Sequence, residues 1–320
     1  MRRRSGSRAR AAGVRAIRVE ARAKLNLGLA VGPRRSDGFH DIATVFQSIS
    51  LTDTLIVRPR ASGFRLTVRW EEVAIQGRGR AEAIPKGPDN LILRAARHFQ
   101  KQVGFDGGAS FLLVKRIPSG AGLGGGSSDA AATLIAMERL KRIRLVPGRR
   151  RELAAALGSD VPFALRGGTA LGFGRGEKLT GIHLAQPFRA ILAVPSWKVS
   201  TADAYQRIDR LKNGLTQWAA NLRSAQLLER ASVTALHCMR LGNSFEEVLG
   251  SRKKDFESLA TRLRRAGLQT PRLTGSGSAV FGILRPSIEV AAVIARFQGS
   301  ERLYAVKSTR TGSRVVVDRV

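Results

Sequence analysis

Alternation of apolar and polar residues marks the start of the folded part of the chain, near residue 17. Residues 23–29 alternate with a period of two, which is typical of a strand with one buried face. Short apolar runs bounded by turn-forming residues predict further strands. These strands cover residues 45–49, 54–57, 64–68, 111–114, 190–194, 280–284 and 303–306.

Apolar residues spaced by three and four positions predict the helices. The pair Asp89-Asn90 is expected to cap one helix that ends at Gly104. Its apolar face is formed by Ile92, Ala95, Ala96, Phe99 and Val103. Further helices are predicted at residues 130–137, 149–157, 256–263 and 288–297, and residues 201–250 are expected to be mainly helical. Strands, then helices, then strands along the chain favour an α+β fold with two sub-domains.

Three ranges describe the predicted organisation. Residues 1–18 form a basic tail that we expect to be disordered, 19–185 the first sub-domain and 186–320 the second. The tail contains seven arginines and no acidic residue, a composition shared with organellar transit peptides. Cys238 is the only cysteine, so no internal disulfide is possible and a reducing compartment is expected. A bacterial cytoplasmic protein is therefore favoured, with a plastid enzyme as the alternative.

Composition excludes several classes of protein. No uncharged apolar run approaches the roughly 18 residues of a membrane helix, so we expect no membrane association. The four histidines are scattered without metal-ligand spacing, which argues against a structural zinc site. The net charge of +31 suggests nucleic-acid binding, but the basic residues are spread thinly beyond the tail and aromatic residues make up only 6%. We therefore expect no specific nucleic-acid partner.

The most informative segment is a glycine-rich loop between a predicted strand and a predicted helix. It comprises Pro118, Ser119, Gly120, Ala121, Gly122, Leu123, Gly124, Gly125, Gly126, Ser127 and Ser128. Glycines allow the backbone to approach a ligand closely, and amides at a helix N-terminus attract anions. The loop is predicted to bind phosphate, although one or two such glycines alone would indicate only tight packing of a helix on a sheet.

Two familiar phosphate motifs do not fit this loop. Gly120, Gly122 and Gly125 match the dinucleotide fingerprint, but no acidic residue follows about 20 residues later, where that motif requires one. No Gly-Lys-Ser/Thr closes the loop, so it is not a P-loop. A third type of nucleoside triphosphate loop is indicated.

Four segments together resemble the GHMP small-molecule kinases. They are Ala23-Lys24-Leu25-Asn26-Leu27, the glycine-rich loop, Gly158-Ser159-Asp160-Val161-Pro162 and Leu273-Thr274-Gly275-Ser276-Gly277. With Asp37-Gly38-Phe39-His40 added, the ordered set is most similar to the branch of that family that acts on 4-diphosphocytidyl-2-C-methyl-D-erythritol. The likeness extends from about Glu20 to the C-terminus.

The resemblance implies a fold and an activity. The fold has an N-terminal domain like domain 2 of ribosomal protein S5 and a ferredoxin-like C-terminal domain. The activity is ATP-dependent phosphorylation of the 2-hydroxyl of a small molecule that carries a cytidine diphosphate group, on the methylerythritol route to isoprenoids. Mg²⁺ is expected to accompany ATP, and the oligomeric state stays open.

The resemblance also implies roles for individual residues. Asp160 is the base near the acceptor hydroxyl, and Lys24 is the cation beside it. The predicted acceptor contacts are Asn26, Phe39, His40, Thr201 and Tyr205, with the cytosine between the two aromatic rings and His40 at its edge. Asn90 and Lys115 join the loop as ATP-binding residues. Asp129 stands where relatives often have Asn or Ala, and we expect it to cap the following helix.

Simpler interpretations compete with these roles. Asp160 suits a helix cap, Lys24 a solvated strand charge, His40 an ordinary loop position and Tyr205 a core position. Another GHMP kinase, of the homoserine or mevalonate type, is the nearest alternative function. A basic nucleotide- or RNA-binding protein without catalysis is the alternative from a different class.

Overall fold

The computed structural model describes residues 16–77, 84–211, 214–228 and 232–316. Strand β1 begins at Ile17, so the last two residues of the predicted tail belong to a sheet, while residues 1–15 lie outside the described residues. The described strands form two sheets, one of seven strands and one of four. An α+β fold with two sub-structures is therefore confirmed.

The seven-stranded sheet has the order β11-β1-β2-β4-β3, and β5 and β6 continue it from β2. Its strands are β1 Ile17–Arg34, β2 His40–Arg60, β3 Phe64–Trp70, β4 Gly108–Lys115, β5 Thr169–Phe173, β6 Lys178–Gly181 and β11 Arg314–Val316. Its helices are α1 Leu91–Val103, α2 Gly125–Lys141, α3 Pro147–Leu157 and α4 Val161–Arg166. As predicted, Asn90 caps α1 through its side chain, and Gly104 ends this helix in the left-handed conformation.

The second sheet is antiparallel with the order β10-β7-β9-β8, the order of a ferredoxin-like fold. Its strands are β7 Arg189–Val194, β8 Leu268–Leu273, β9 Val280–Leu284 and β10 Arg302–Lys307. The accompanying helices are α5 Thr201–Ile208, α6 Gly214–Leu227, α7 Ala235–Met239, α8 Lys253–Arg265 and α9 Val290–Arg296, with 3₁₀ turns at Ser244–Glu247 and Gly250–Arg252. One apolar cluster joins the two sheets, with Leu25 and Val45 on the first and Leu192 and Phe281 on the second.

Three features differ from the prediction. The strands expected at 45–49 and 54–57 are parts of the single strand β2. Strands β6 and β8 were not predicted, and in β8 Pro271 interrupts the strand pattern of the sequence. Strand β11 pairs with β1, so the end of the predicted second sub-domain contributes a strand to the first sheet.

A buried charge cluster of Asp53, Lys115 and Asp129 ties helix α2 to the first sheet. Lys115 Nζ donates to Asp53 Oδ2 and, over 3.0 Å, to Asp129 Oδ2. Asp53 Oδ1 accepts from the backbone N–H groups of Arg116 and Ile117 at 2.6 and 2.8 Å. These bonds allow a carboxylate to lie inside strand β2, between the two stretches that were predicted as separate strands.

Asp129 does not cap helix α2, contrary to the prediction. The helix begins at Gly125, with Gly124 at the cap position, and Asp129 lies inside it. Its Oδ1 atom is buried without a hydrogen-bond partner among the described residues. Burial raises the pKa of Asp129 to about 8, with Asp53 adding to the rise and Lys115 opposing it. Burial alone would lower the pKa of Lys115, but the two carboxylates raise it overall.

The substitution Asp129→Asn is expected to stabilise the folded protein more, relative to wild type, as the pH rises. The folded protein holds a proton on Asp129 that the unfolded chain releases near its ordinary pKa of 3.8, so stability falls as pH rises from about 4 to about 8. Asp129→Asn removes this dependence. The free energy of unfolding of Asp129→Asn, measured in urea at pH 5, 7 and 9, should therefore rise relative to that of wild type as the pH increases.

Lys115→Met is the matched comparison, since it leaves two buried carboxylates without their cation. We expect it to lose about 3–5 kcal/mol at pH 9. An equal difference between Asp129→Asn and wild type at all three pH values would contradict the charge assignment.

Candidate active site

A cavity of about 740 Å³, called here the central cavity, lies between the two sheets. It is lined by β1, the start of β2, the start of α4 and helix α5. Every residue predicted for catalysis or acceptor binding lines it: Lys24, Asn26, Phe39, His40, Asp160, Thr201 and Tyr205. The fold thus brings together side chains that are far apart in the sequence.

A second cavity of about 440 Å³, called here the loop cavity, lies on the other side of the glycine-rich loop. It is lined by loop residues 118–127, Asn90 and Lys115, all predicted for ATP binding. Gly120, Gly122, Gly124 and Ser127 line both cavities, so the loop separates them and faces each. Ser128 differs from the prediction: it is buried, its hydroxyl donates to the carbonyl of Arg22, and it lines neither cavity.

The loop takes a backbone shape that depends on its glycines. Gly120, Gly122 and Gly124 have φ angles of 62°, 78° and 68°, in the region that other residues adopt at a cost. Helix α2 follows directly, and no described side chain caps its first turn. Its first N–H groups and the positive end of the helix dipole therefore form the kind of surface that binds anions.

The loop crosses the turn after β8 at very close range. A Cβ atom on Gly122 would lie 2.0 Å from the carbonyl oxygen of Thr274. The same crossing is held by hydrogen bonds from Lys24 N to Leu123 O at 3.0 Å and from Asn26 N to Thr274 Oγ1 at 3.0 Å. Strand β1, the loop and the second sheet consequently meet at one point.

Lys24 is buried beside Asp160 at this point. Its Nζ atom donates to Asn26 Oδ1 at 2.5 Å and lies 3.6 Å from Asp160 Oδ2. Asn26 Nδ2 donates to Thr44 Oγ1 at 2.8 Å, so both ends of the Asn26 amide are held by protein groups. Asn26 therefore orients Lys24, and because it also lines the central cavity, its contact with the acceptor stays a prediction.

Asp160 occupies the cap position of α4 but does not cap the helix. Its backbone is in the right-handed helical region, and its side chain bonds no N–H group of the first turn. The carboxylate instead faces the central cavity, with 29% of the side chain exposed. Capping, the simpler interpretation, is therefore wrong.

An aromatic wall closes the other end of the central cavity. His40 stacks on Tyr205 with ring centroids 4.8 Å apart, and Phe245 meets Tyr205 edge-on at 5.0 Å. His40 Nε2 lies 2.7 Å from Asp209 Oδ1. Burial, with a contribution from Asp160, raises the pKa of Tyr205 to about 12, so its hydroxyl stays protonated at neutral pH.

Phe39 stands apart from this stack. Its ring is 49% exposed, and the guanidinium of Arg175 lies 4.6 Å from its centroid. The predicted sandwich of a base between Phe39 and Tyr205 is not preformed, because His40 covers one face of Tyr205.

Sequence reasoning missed three residues of this wall, Asp209, Phe245 and Arg175. The signal for Asp209 was its spacing of four from Tyr205, which places both on one helix face. Nothing local marked Arg175. Thr201, which was predicted, bonds Ser276 through their hydroxyl oxygens at 2.7 Å and so links α5 to the turn after β8.

Comparisons with known proteins agree with this geometry. Residues 90–168 match the family model described as GHMP kinases N terminal domain. The 4-diphosphocytidyl-2-C-methyl-D-erythritol kinase of Moorella thermoacetica is 38% identical over 282 residues, covering 88% of this chain and 95% of that protein. The enzyme of the same name from Bacillus subtilis is 33% identical, covering 91% and 96%.

Solved structures give the same picture. A crystal structure of 4-(cytidine 5'-diphospho)-2C-methyl-D-erythritol kinase matches with a TM-score of 0.69 at 32% identity, covering 91% of this chain and 98% of that one. Homoserine kinase from Cytophaga hutchinsonii matches with a TM-score of 0.71 at 17% identity, covering 94% and 97%, which shows the shared fold alone. No helix within the described ranges is long and apolar enough to cross a membrane. The chain belongs to the 4-diphosphocytidyl-2-C-methyl-D-erythritol kinase family, a branch of the GHMP kinases.

Proposed function

We propose that this protein transfers the γ-phosphoryl group of ATP to the 2-hydroxyl of 4-diphosphocytidyl-2-C-methyl-D-erythritol, a step on the non-mevalonate route to isoprenoid precursors. The observation that carries the proposal is the position of Lys24 and Asp160. They lie in the central cavity, beside the loop residues that also line the loop cavity. A triphosphate held by the loop would present its terminal phosphate to an acceptor in the central cavity.

The glycine-rich loop is the proposed triphosphate site. Left-handed glycines and the uncapped start of α2 supply N–H groups without side chains in the way. Asn90 and Lys115 line the remainder of the loop cavity, where the nucleoside would lie. Both side chains are already engaged by the protein, Asn90 with the start of α1 and Lys115 with two carboxylates. They therefore shape the cavity more than they offer free donors.

Asp160 and Lys24 are the proposed catalytic pair. An alcohol is a weak nucleophile, and a carboxylate that accepts its proton or orients it assists the attack. Lys24 would stabilise the negative charge that develops on the transferred group. Because its ammonium donates to Asn26, which Thr44 in turn holds, this charge is already in position before the substrates bind.

Magnesium fits this site as a partner of the triphosphate. Among the described residues, no three side chains of His, Cys, Asp or Glu converge as a metal cluster. Mg²⁺ commonly keeps several waters and uses one or two protein ligands plus substrate phosphates. Ser127, which lines both cavities, is the residue proposed to hold it. When bound, the ion would neutralise charge on the phosphate oxygens.

The aromatic wall is the proposed cytidine site. Phe39 offers a half-exposed ring, and Asp209 fixes the orientation of His40 through its Nε2 atom. A cytosine that stacks on the face of Tyr205 now covered by His40 would displace the His40 ring. Acceptor binding is therefore expected to move the His40 ring. This wall favours the cytidine acceptor over homoserine or mevalonate, which carry no base to stack.

A bacterial cytoplasm is the proposed location. The relatives reported above come from bacteria, and ATP is supplied inside the cell. The acceptor is a small molecule, and no nucleic-acid partner is needed for the proposed reaction.

Loss of the Asp160 carboxylate should slow the chemical step. Asp160→Asn keeps the size of the side chain and removes its charge, so kcat should fall by roughly 10²–10⁴-fold. The KM for ATP should stay within about threefold of wild type, because the loop is unchanged. Initial rates with both substrates varied provide the measurement. Asp106→Asn, an exposed carboxylate outside both cavities, is the control and should keep full activity.

The acceptor site makes a separate prediction. Phe39→Ala should weaken acceptor binding by about 5- to 150-fold, the equivalent of about 1–3 kcal/mol for one stacked base. The KM for ATP should not change. The wild-type protein should phosphorylate 4-diphosphocytidyl-2-C-methyl-D-erythritol at its 2-hydroxyl, as located by phosphorus NMR of the product, and cytidine diphosphate should compete with this acceptor.

The same assay includes homoserine and mevalonate as alternative acceptors. Turnover of either one, or an unchanged acceptor KM in Phe39→Ala, would rule out the cytidine site. Phosphorylation of neither the cytidine compound nor these alcohols would rule out the kinase proposal itself.

A further inference from the structure

A third cavity, of about 530 Å³, has no part in the proposed reaction. It shares no lining residue with the central cavity or the loop cavity, and we call it the rear cavity. Its polar lining includes Arg166, Thr169, His183, Ser308 and Arg310. Its volume lies in the range of about 300–1,000 Å³ that is usual for small-molecule sites.

The rear cavity is positively charged. Arg166 and Arg310 line it, and no Asp or Glu is found among its described lining residues. Within the described ranges, neither guanidinium takes part in a hydrogen bond or an ion pair. Arg150, Arg262 and Arg272, by contrast, are paired with carboxylates. Both side chains are exposed, so water screens their mutual repulsion, and an anion in the cavity would meet positive charge from each of them.

The two arginines are held near one another by a tight backbone contact. Arg166 ends helix α4, and Arg310 lies in the segment that follows β10. A Cβ atom on Gly168 would lie 3.0 Å from the carbonyl oxygen of Arg310, and one on Gly167 would lie 1.7 Å from Gly312 N. Both glycines have positive φ angles, so this contact requires them.

The walls of the rear cavity are also fixed. Ser48 N donates to Gly168 O, and Thr309 N donates to Ser48 O, each at 2.9 Å. The Ser308 hydroxyl accepts from Phe188 N at 3.0 Å, which leaves its own proton available for a ligand. The cavity therefore combines a rigid backbone with two charged forks and a hydroxyl donor.

We propose that the rear cavity is a second anion site, built for a small molecule that carries a phosphate or diphosphate group. Guanidinium groups match phosphate oxygens in geometry as well as charge, because each can donate two parallel hydrogen bonds. Two guanidinium groups match the two or more negative charges of a diphosphate better than they match the single charge of a carboxylate. His183 and the Ser308 hydroxyl supply further donors around the same ligand.

The rear cavity lies back to back with the reacting centre. On strand β2, Phe46 lines the central cavity and the adjacent Gln47 lines the rear cavity, since neighbouring residues of a strand point to opposite faces. Helix α4 runs from Asp160 at its start to Arg166 at its end. The two sites are therefore close but separate, so a test of binding to the rear cavity must keep the glycine-rich loop occupied.

Calorimetric titration of inorganic pyrophosphate tests the proposal. The protein is first saturated with a non-hydrolysable ATP analogue, so that the glycine-rich loop is occupied. We expect one equivalent of pyrophosphate to bind to wild type. Arg166→Glu with Arg310→Glu should weaken this binding at least about tenfold, the value of one charged hydrogen bond.

The control is a double variant with the same change of charge, Arg65→Glu with Arg151→Glu. Both of these arginines are exposed and line none of the three cavities, so pyrophosphate affinity should match wild type. If circular dichroism shows that the first double variant is unfolded, Arg310→Gln alone replaces it and should weaken binding at least about fivefold.

Two results would overturn the proposal. One is absence of pyrophosphate binding to the wild-type protein, and the other is an equal affinity in the test and control variants. Neither result depends on kinase activity, so failure of this site is distinguishable from failure of the proposed reaction.

Discussion

The close crossing of two glycine-containing turns governs the geometry of the whole site. Gly122 of the glycine-rich loop passes so near the carbonyl of Thr274 that no side chain fits between them. Strand β1 is bonded to both turns, through Lys24 N to Leu123 and Asn26 N to Thr274. The first sheet, the second sheet and the loop are thus fixed at one place, and the Lys24 ammonium emerges there.

Two further constraints act through this crossing. Lys115 lies directly beneath the loop, because a Cβ atom on Gly125 would be 2.8 Å from its Nζ. Its hydrogen bonds to Asp53 and Asp129 anchor the start of α2 to the sheet. Gly124 leaves just enough room for the Lys24 side chain, since a Cβ atom there would be 2.9 Å from Lys24 Cγ. Glycine in this loop therefore serves the protein's own packing as well as the approach of a ligand.

Much of the site could be predicted where a local pattern carries the signal. Asn90 and Gly104 bound α1 as expected, and the loop motif located the turn that both cavities share. All seven residues that the resemblance named for catalysis or acceptor binding line the central cavity. These inferences succeed because capping chemistry and glycine spacing are properties of short segments.

The remainder depends on contacts between distant parts of the chain. Strand β2 was predicted as two pieces on either side of Asp53, whose partner Lys115 lies 62 residues away. Asp129 suggested a cap because its burial against Lys115 could not be foreseen from its neighbours. The stack of His40 on Tyr205 also joins residues that are far apart in the sequence, as does the contact of Arg166 with the segment around Arg310. Local sequence gives no register for such long-range pairs.

A comparison of Gly120→Ala with Gly122→Ala tests the central constraint most directly. Both glycines have positive φ angles in the same loop, so each substitution carries a similar backbone cost of about 1–2 kcal/mol. A Cβ atom on Gly120 meets nothing within 4 Å, whereas one on Gly122 meets Thr274 O at 2.0 Å. Urea unfolding should show Gly122→Ala to be less stable than Gly120→Ala by about a further 1–3 kcal/mol, the usual cost of overpacking. Equal free energies of unfolding for the two variants would contradict the claim that this crossing holds the site together.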